Sequence, residues 1–303
     1  MEEKTSEQGL FEIVGLDYRK QVSELKEPSF RDRLRGKPVF SILVLSLIFG
    51  GCLFANVIAN HDPGYFYLDN INQAPNSEFF FGTDSMGRDI FSLIWSGGRA
   101  SIAIGLLSAA ITTVIGIAYG CISGIAGSHV DSVMMRMTEI AGSIPSILLI
   151  LLFTSFFDSN NVWTLSLVIG ALGWFNLARI VRSEVRQIRN QEYVLVSRSM
   201  GAGFGHIMLR HLIPNFVSAI MFVIVSSISN SMTTEATLSF LGLGLPVEVV
   251  SWGSMLSLAN RALMLNTWWV ILIPGLFLTI TLVCITNIGQ YFRKEVNRRL
   301  SNL

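Results

Sequence analysis

The residues able to do chemistry in this chain are few and scattered. His61, His129, His206 and His211 share no metal-ligand spacing with cysteines or carboxylates. Cys52, Cys121 and Cys284 each sit inside an apolar run and read as small packing residues, not a disulfide framework. No Ser/His/Asp arrangement can be assembled. A G-x-x-x-x-G-K-[ST] phosphate loop is missing, and the single Gly-Lys pair, Gly36-Lys37, runs into Pro38. An intramembrane enzyme would need polar groups facing one another at matched depth, and Glu235 is the only carboxylate well placed.

What remains is a docking chemistry. NQEYVLVSRSMGAGFGHIMLRHLIPN (190–215) is a polar stretch between two long apolar runs, with glycines at 201, 203 and 205 and Pro214 at the mouth of the next run. Taken as a helix over 193–204, at about 100° per residue, it gathers Tyr193, Val196, Ser197, Met200 and Phe204 on one face. Leu195, Arg198, Ser199 and Ala202 lie opposite. The piece is too short to span a membrane and too apolar on one side to stay free. It docks either on the protein's own helix ends and the lipid interface, or into a cytoplasmic partner.

The elements that must position this loop are membrane spans. The chain has 303 residues, 51% hydrophobic and 14% charged, with a mean hydropathy of +0.53, whereas soluble domains are about 25% charged. A spanning helix needs roughly 20 apolar residues. Six segments qualify, predicting an all-α integral membrane protein with transmembrane helices over 39–59, 100–126, 133–157, 160–182, 212–240 and 268–290. Pro145 and Pro274 should kink the third and the sixth. Residues 1–38 form a polar tail that is not a signal peptide, since no small-residue cleavage site follows the first apolar run. With that tail in the cytoplasm, all of the 22 lysines and arginines except Arg88, Arg99 and Arg261 fall inside. Both termini and the loop 189–211 are then cytoplasmic, and residues 60–99 form an external loop with an interfacial helix. Trp95, Trp163, Trp268 and Trp269 come near the outer interface.

Two patterns concern packing. Ser108, Thr112, Gly116, Gly120, Gly124 and Ser128 recur every four residues, a ridge for close helix approach. It serves either ordinary packing or a seam against a partner or a moving helix. Polar residues crowd the end of the fifth span: Ser226, Ser227, Ser229, Asn230, Ser231, Thr233, Thr234, Glu235. They imply interhelical hydrogen bonding or a lined path, with Asn230, Thr234 and Glu235 as its candidates. In 81–89, Thr83 or Asp84 is expected to cap a helix, with Ile90, Phe91, Leu93, Ile94 and Trp95 in the outer interface. Arg136 and Glu139 are spaced to pair.

The loop resembles the EAA loop of permease subunits of ATP-binding-cassette importers. Gly201 and Pro214 keep the family's spacing, and Ile213 fits the apolar position before the proline. His211 replaces the usual isoleucine. Leu195-Val196-Ser197 stands where Glu-Ala-Ala is usual, so the signature glutamate is missing. FGTDSMGRDIFSLIWSGGRASI (81–102), DSVMMRMTEIAGSIPSILL (131–149), RHLIPN (210–215) and TEATLSFLGLGLP with SWGSML (234–256) are similar to the C-type permease of oligopeptide and dipeptide importers. The C-terminal tail, 291–303, departs from that pattern: Gln290 and Tyr291 follow Gly289, where an aspartate is usual.

The resemblance implies a type I importer permease fold with its core over 100–290, forming half of a path for oligopeptides by ATP-driven alternating access. A nickel or metal-chelate importer is the alternative. It implies no enzyme activity and no cofactor in this chain, with ATP and Mg held by partner ATPase subunits. The implied partners are a second homologous permease, two ATPases, an external substrate-binding protein and the bilayer of a bacterial plasma membrane, and not nucleic acid. The implied ATPase-coupling residues are Tyr193, Val196, Ser197, Arg198, Met200, Gly201, Ala202 and Pro214.

Overall fold

In hydrocarbon, a chain satisfies its backbone polar groups within its own segments, and helices do so residue by residue. The computed structural model describes residues 37–157, 161–246 and 248–301, and it is helical. The N-terminal tail assigned to the cytoplasm, 1–36, lies outside the described residues, as do 158–160. The helices are α1 (Val39–Leu53), α2 (Ala55–Ile58), α3 (Ile90–Ile125), α4 (Ser128–Ser143), α5 (Ser146–Thr154), α6 (Val162–Leu172), α7 (Phe175–Ile188), α8 (Glu192–Ser199), α9 (Phe204–Ile207), α10 (Ile213–Phe240), α11 (Trp252–Leu256), α12 (Ala259–Met264) and α13 (Trp269–Ser301). α3 and residues 269–295 of α13 are each long and apolar enough to cross a membrane. Counting the bent pairs α4/α5 and α6/α7 as one span each raises the number to four.

The predicted boundaries shift for local reasons. The interfacial helix and the second span are one helix of 36 residues, α3. Its cap is Asp89, whose carboxylate accepts from the Ser92 amide at 3.0 Å. Thr83 and Asp84 therefore do not cap it. Ile90, Leu93 and Ile94 are buried in the protein rather than laid in the interface. The third predicted span is broken by 84°, far more than a kink. Ile144 precedes Pro145 and takes an extended backbone, φ −86 and ψ 131, because the proline ring disfavours helical geometry in the residue before it. The fourth bends by 47° after Leu172 and continues to Ile188. The first run divides at Phe54. The last runs on past residue 290 to Ser301, with Pro274 inside it.

α3 contributes to all three buried apolar clusters. The four-residue ridge lies along it and is spent within the chain. Ser108 Oγ donates to the Ser166 carbonyl and Thr112 Oγ1 to the Gly170 carbonyl, both at 3.1 Å. Further along, a Cβ on Gly116 would stand 2.9 Å from the Leu177 side chain. One on Gly120 would stand 2.6 Å from the Ala178 carbonyl oxygen, and one on Gly124 2.6 Å from Val185. The ridge therefore serves ordinary packing, against α6 and α7, and ends at Gly124. Ser128 starts α4 and is exposed. Arg99 closes the far end of α1, donating to the Cys52 and Leu53 carbonyls at 2.6 and 2.8 Å. Arg136 and Glu139 pair at 2.9 Å as their spacing predicts, and the three cysteines are free and buried.

A side chain at Gly120 must push α7 away, and overpacking of this kind costs about 1–3 kcal/mol. Gly120→Val should therefore lower the thermal midpoint of the purified protein and its yield in membranes. Gly50→Val, where an added Cβ has nothing within 4 Å, should not. Equal midpoints for the two would show that the ridge is not what holds α3 to α7.

Candidate functional site

The loop that sequence singled out folds as a short helix with a defined stop. α8 spans Glu192–Ser199 and ends earlier than expected, so Phe204 belongs to α9 and not to the same face. Gly201 has φ +85. Its amide donates to the Arg198 carbonyl at 3.0 Å, and the Ala202 amide to the Ser197 carbonyl at 3.1 Å. This pair of bonds is the Schellman closure, which needs a left-handed residue at the turn. Gly203 and Gly205 have no such requirement. Val194 is the buried residue of α8. Tyr193, Val196 and Met200 stay on one open face, Met200 at 83% exposure. Ser197 is half-buried at the edge of that face, Arg198 is exposed and Ala202 is half-buried.

Beyond α9, the chain widens into a π turn, Met208–Leu212, and enters α10, with Pro214 as its second residue. A proline lacks the amide and crowds the carbonyl four residues back, which favours a local π step over a regular α ladder. The ring of Pro214 and the side chains of Phe204 and His211 lie outside the described side chains.

Next to this loop stands a charged cluster that sequence reading missed. Asp131, in the first turn of α4, is buried. Arg182 of α7 grips it with two nitrogens, Nε on Oδ1 and Nη2 on Oδ2. Arg186, one turn on, reaches Oδ2 at 2.6 Å, and Ser123 Oγ of α3 donates to Oδ1 at 2.6 Å. One more turn along, Arg189 donates to the Gly124 carbonyl at the end of α3, at 2.7 Å. The signal was present as arginines at turn spacing, 182, 186 and 189. Their partner is 51 residues from Arg182 in sequence.

Level with the first third of α3, Glu235 of α10 is fully buried. It accepts from Ser101 Oγ of α3 at 3.1 Å, from Ser239 Oγ at 2.9 Å and from Ser251 Oγ at 2.6 Å. Ser251 caps α11, and the Trp252 amide donates to Ser101 Oγ at 3.1 Å. Glu235 is thus a joint between α3, α10 and α11, not part of an open wall in this chain. Asn230 is exposed and Thr234 half-buried. With Thr233 and Thr237 they form a stripe, and each threonine hydroxyl donates to the carbonyl four residues earlier at 2.8 Å.

The 60–99 loop is internally tied. Asp84 accepts from the Met86 and Arg88 amides and from Arg88 Nε, at 2.8, 2.9 and 2.8 Å. Buried Trp269 donates to the Thr83 carbonyl at 3.1 Å. Two open cavities, of about 800 and 760 Å³, share Arg88 in their walls. Among the described residues no group of three His, Cys, Asp or Glu is placed to hold a metal ion.

Residues 116–302 match the family described as binding-protein-dependent transport system inner membrane component. The oligopeptide transport system permease protein OppC of Bacillus subtilis (strain 168) is 34% identical over 282 residues, 93% of this chain and 92% of that protein. The OppC of Escherichia coli (strain K12) is 33% identical, with 86% of each chain covered. The dipeptide transport system permease protein DppC of Bacillus subtilis is 31% identical over 86% of this chain and 81% of its own length. A helical chain of membrane-spanning length, a match over more than half of it and relatives aligned almost end to end converge on one conclusion: the protein belongs to the binding-protein-dependent transport system inner membrane components, as a multi-pass permease subunit of the transport machinery rather than its ATPase.

Proposed function

We propose that this subunit forms half of a transmembrane path for oligopeptides, opened and closed by ATPase subunits that dock on α8. The observation that carries this is α8 itself. It is a short helix closed by a Schellman turn at Gly201, with Tyr193, Val196 and Met200 left open on one face. An apolar face of that size on a loop is the helix half of a helix-in-groove contact. Arg198 flanks it as a polar contact at the rim, and Ser197 and Ala202 border it. Pro214 fixes where the fifth span begins. The similar proteins are oligopeptide and dipeptide permeases, which favours peptides over nickel or metal chelates.

The finer architecture follows the same reading. Six spans in the type I importer arrangement place both termini and the 189–211 loop in the cytoplasm and the 60–99 loop outside. α1 and α10 supply the first and fifth spans, with the bent pairs as the third and fourth. The core is 100–290, and a second homologous permease completes the path along the Asn230 and Thr234 stripe. ATP and Mg belong to the two ATPases, and an external binding protein delivers the substrate. This chain holds no cofactor of its own.

The orientation is tested by cysteines introduced singly at Ser6 and Gln73. In intact cells an impermeant thiol reagent should label the cysteine at 73 and spare the one at 6. Equal labelling, or the reverse preference, sinks the topology.

The docking is tested at Gly201. The left-handed turn costs a residue with a Cβ about 1–2 kcal/mol, although nothing in this chain lies within 4 Å of the added atom. Gly201→Val should therefore insert normally yet lose most peptide uptake, and cysteines at Ser199 or Ala202 should crosslink to an ATPase. Normal uptake in Gly201→Val with no crosslink from 193–204 would leave α8 as an interfacial helix.

A further inference from the structure

We propose that Asp131 is the positioning residue through which movement of α8 enters the helix bundle. The inference rests on the reading that α8 docks on an ATPase. A displaced α8 has two covalent exits: residues 189–191 back to α7, and α9 with the π turn forward to α10. On the α7 side three arginines at successive turns tie the last two turns of that helix to its neighbours. Arg182 and Arg186 converge on Asp131, and Arg189 holds the Gly124 carbonyl. Among the described residues the remaining α3–α7 contact is apolar: Gly116, Gly120 and Gly124 lie against Leu177, Val181 and Val185, with Ile117, Cys121 and Ile125 in the same cluster. A contact of that kind resists separation but has no directional bonds to resist sliding or rotation. The two-nitrogen grip of Arg182 on a buried carboxylate does, because both bonds fail together when the planes turn.

The grip also decides which segment moves. Asp131 sits in the first turn of α4, and the opposite end of α4 is the 84° break at Ile144 and Pro145. Ser123 Oγ ties the same carboxylate to the last turn of α3. Force from α8 thus reaches α4 through Asp131, and α4 ends at a joint of extended backbone where a rigid helix can swing. A cluster that merely stabilised the fold would need no connection to either the loop or the broken span.

The experiment uses the full complex of permeases, ATPases and binding protein in proteoliposomes and reads peptide uptake and ATP hydrolysis together. In Asp131→Asn the uptake per ATP should fall by roughly tenfold or more, because the substitution removes the charge on which the two partly exposed arginines converge. Asp131→Glu should recover part of it. Arg136→Gln, which breaks the exposed pair on the same helix, should leave the ratio as it was. A cysteine at Ser199 is crosslinked to the ATPase in each variant. Crosslinking retained with an unchanged ratio in Asp131→Asn overturns the inference and leaves the docking of α8 standing. Crosslinking absent even without a substitution at 131 means that the docking reading itself has failed. If Asp131→Asn does not assemble, Arg186→Gln decides, since it keeps the Arg182 grip: a reduced ratio supports the role and an unchanged one refutes it.

Discussion

The close approach of α3 to α6 and α7 is the constraint on which the remaining architecture depends. Lipid tails are as apolar as leucine, so helices in a membrane gain little from leaving them and must gain from packing and interhelical hydrogen bonds. The ridge from Ser108 to Gly124 supplies both. Its two hydroxyls bond to carbonyls of α6, and its glycines let Leu177, Val181 and Val185 of α7 lie against bare backbone. Glycine inside a helix costs up to about 1 kcal/mol in helix propensity, and here that cost is offset by contact. Because α3 belongs to all three apolar clusters, its register against α7 sets the position of everything that α7 carries, including the arginines and the loop beyond them.

The same helix meets a buried acid at two levels, one in its first third and one in its last turn. Ser101 donates to Glu235 and Ser123 to Asp131. The two serines are 22 residues apart, which at 1.5 Å per residue is about 33 Å, close to the thickness of a hydrocarbon core. The joints differ in kind. Asp131 is held by guanidinium groups, which suits a site that must transmit directional force. Glu235 is held by serine hydroxyls of three elements and, among the described residues, by no cation, which suits a site that must be closed but not rigidly oriented.

Much of the loop's design was legible from local pattern. The spacing of Gly201 and Pro214, the face shared by Tyr193, Val196 and Met200, and the pairing of Arg136 with Glu139 all involve residues near in sequence. The ridge, too, is a plain four-residue repeat. What stayed hidden depends on distant partners or on competition between neighbours. Asp131 looks like an ordinary first-turn acid until Arg182 arrives. Glu235 looks like part of a polar wall until Ser101 and Ser251 fill both its oxygens. At the start of α3, Thr83, Asp84 and Asp89 all had the chemistry of a cap, and only the folded loop assigns that task to Asp89 by occupying the others. Pro145 signalled a disturbance but not its size, since the angle depends on what each half packs against.

If the α10 stripe lines the proposed path, its threonines have a consequence for what slides along them. Thr233, Thr234 and Thr237 each give their proton to the carbonyl one turn back. A hydroxyl used in this way has only lone pairs left to offer. The three threonines therefore present a row of similar, shallow acceptors, while Asn230, exposed on the same stripe, keeps a side-chain amide that can donate. Amide and ammonium protons can shift from one acceptor to the next with little difference in energy, and no single position becomes a trap. On the reading that this stripe lines the path, it would be indifferent to the order of the side chains that cross it.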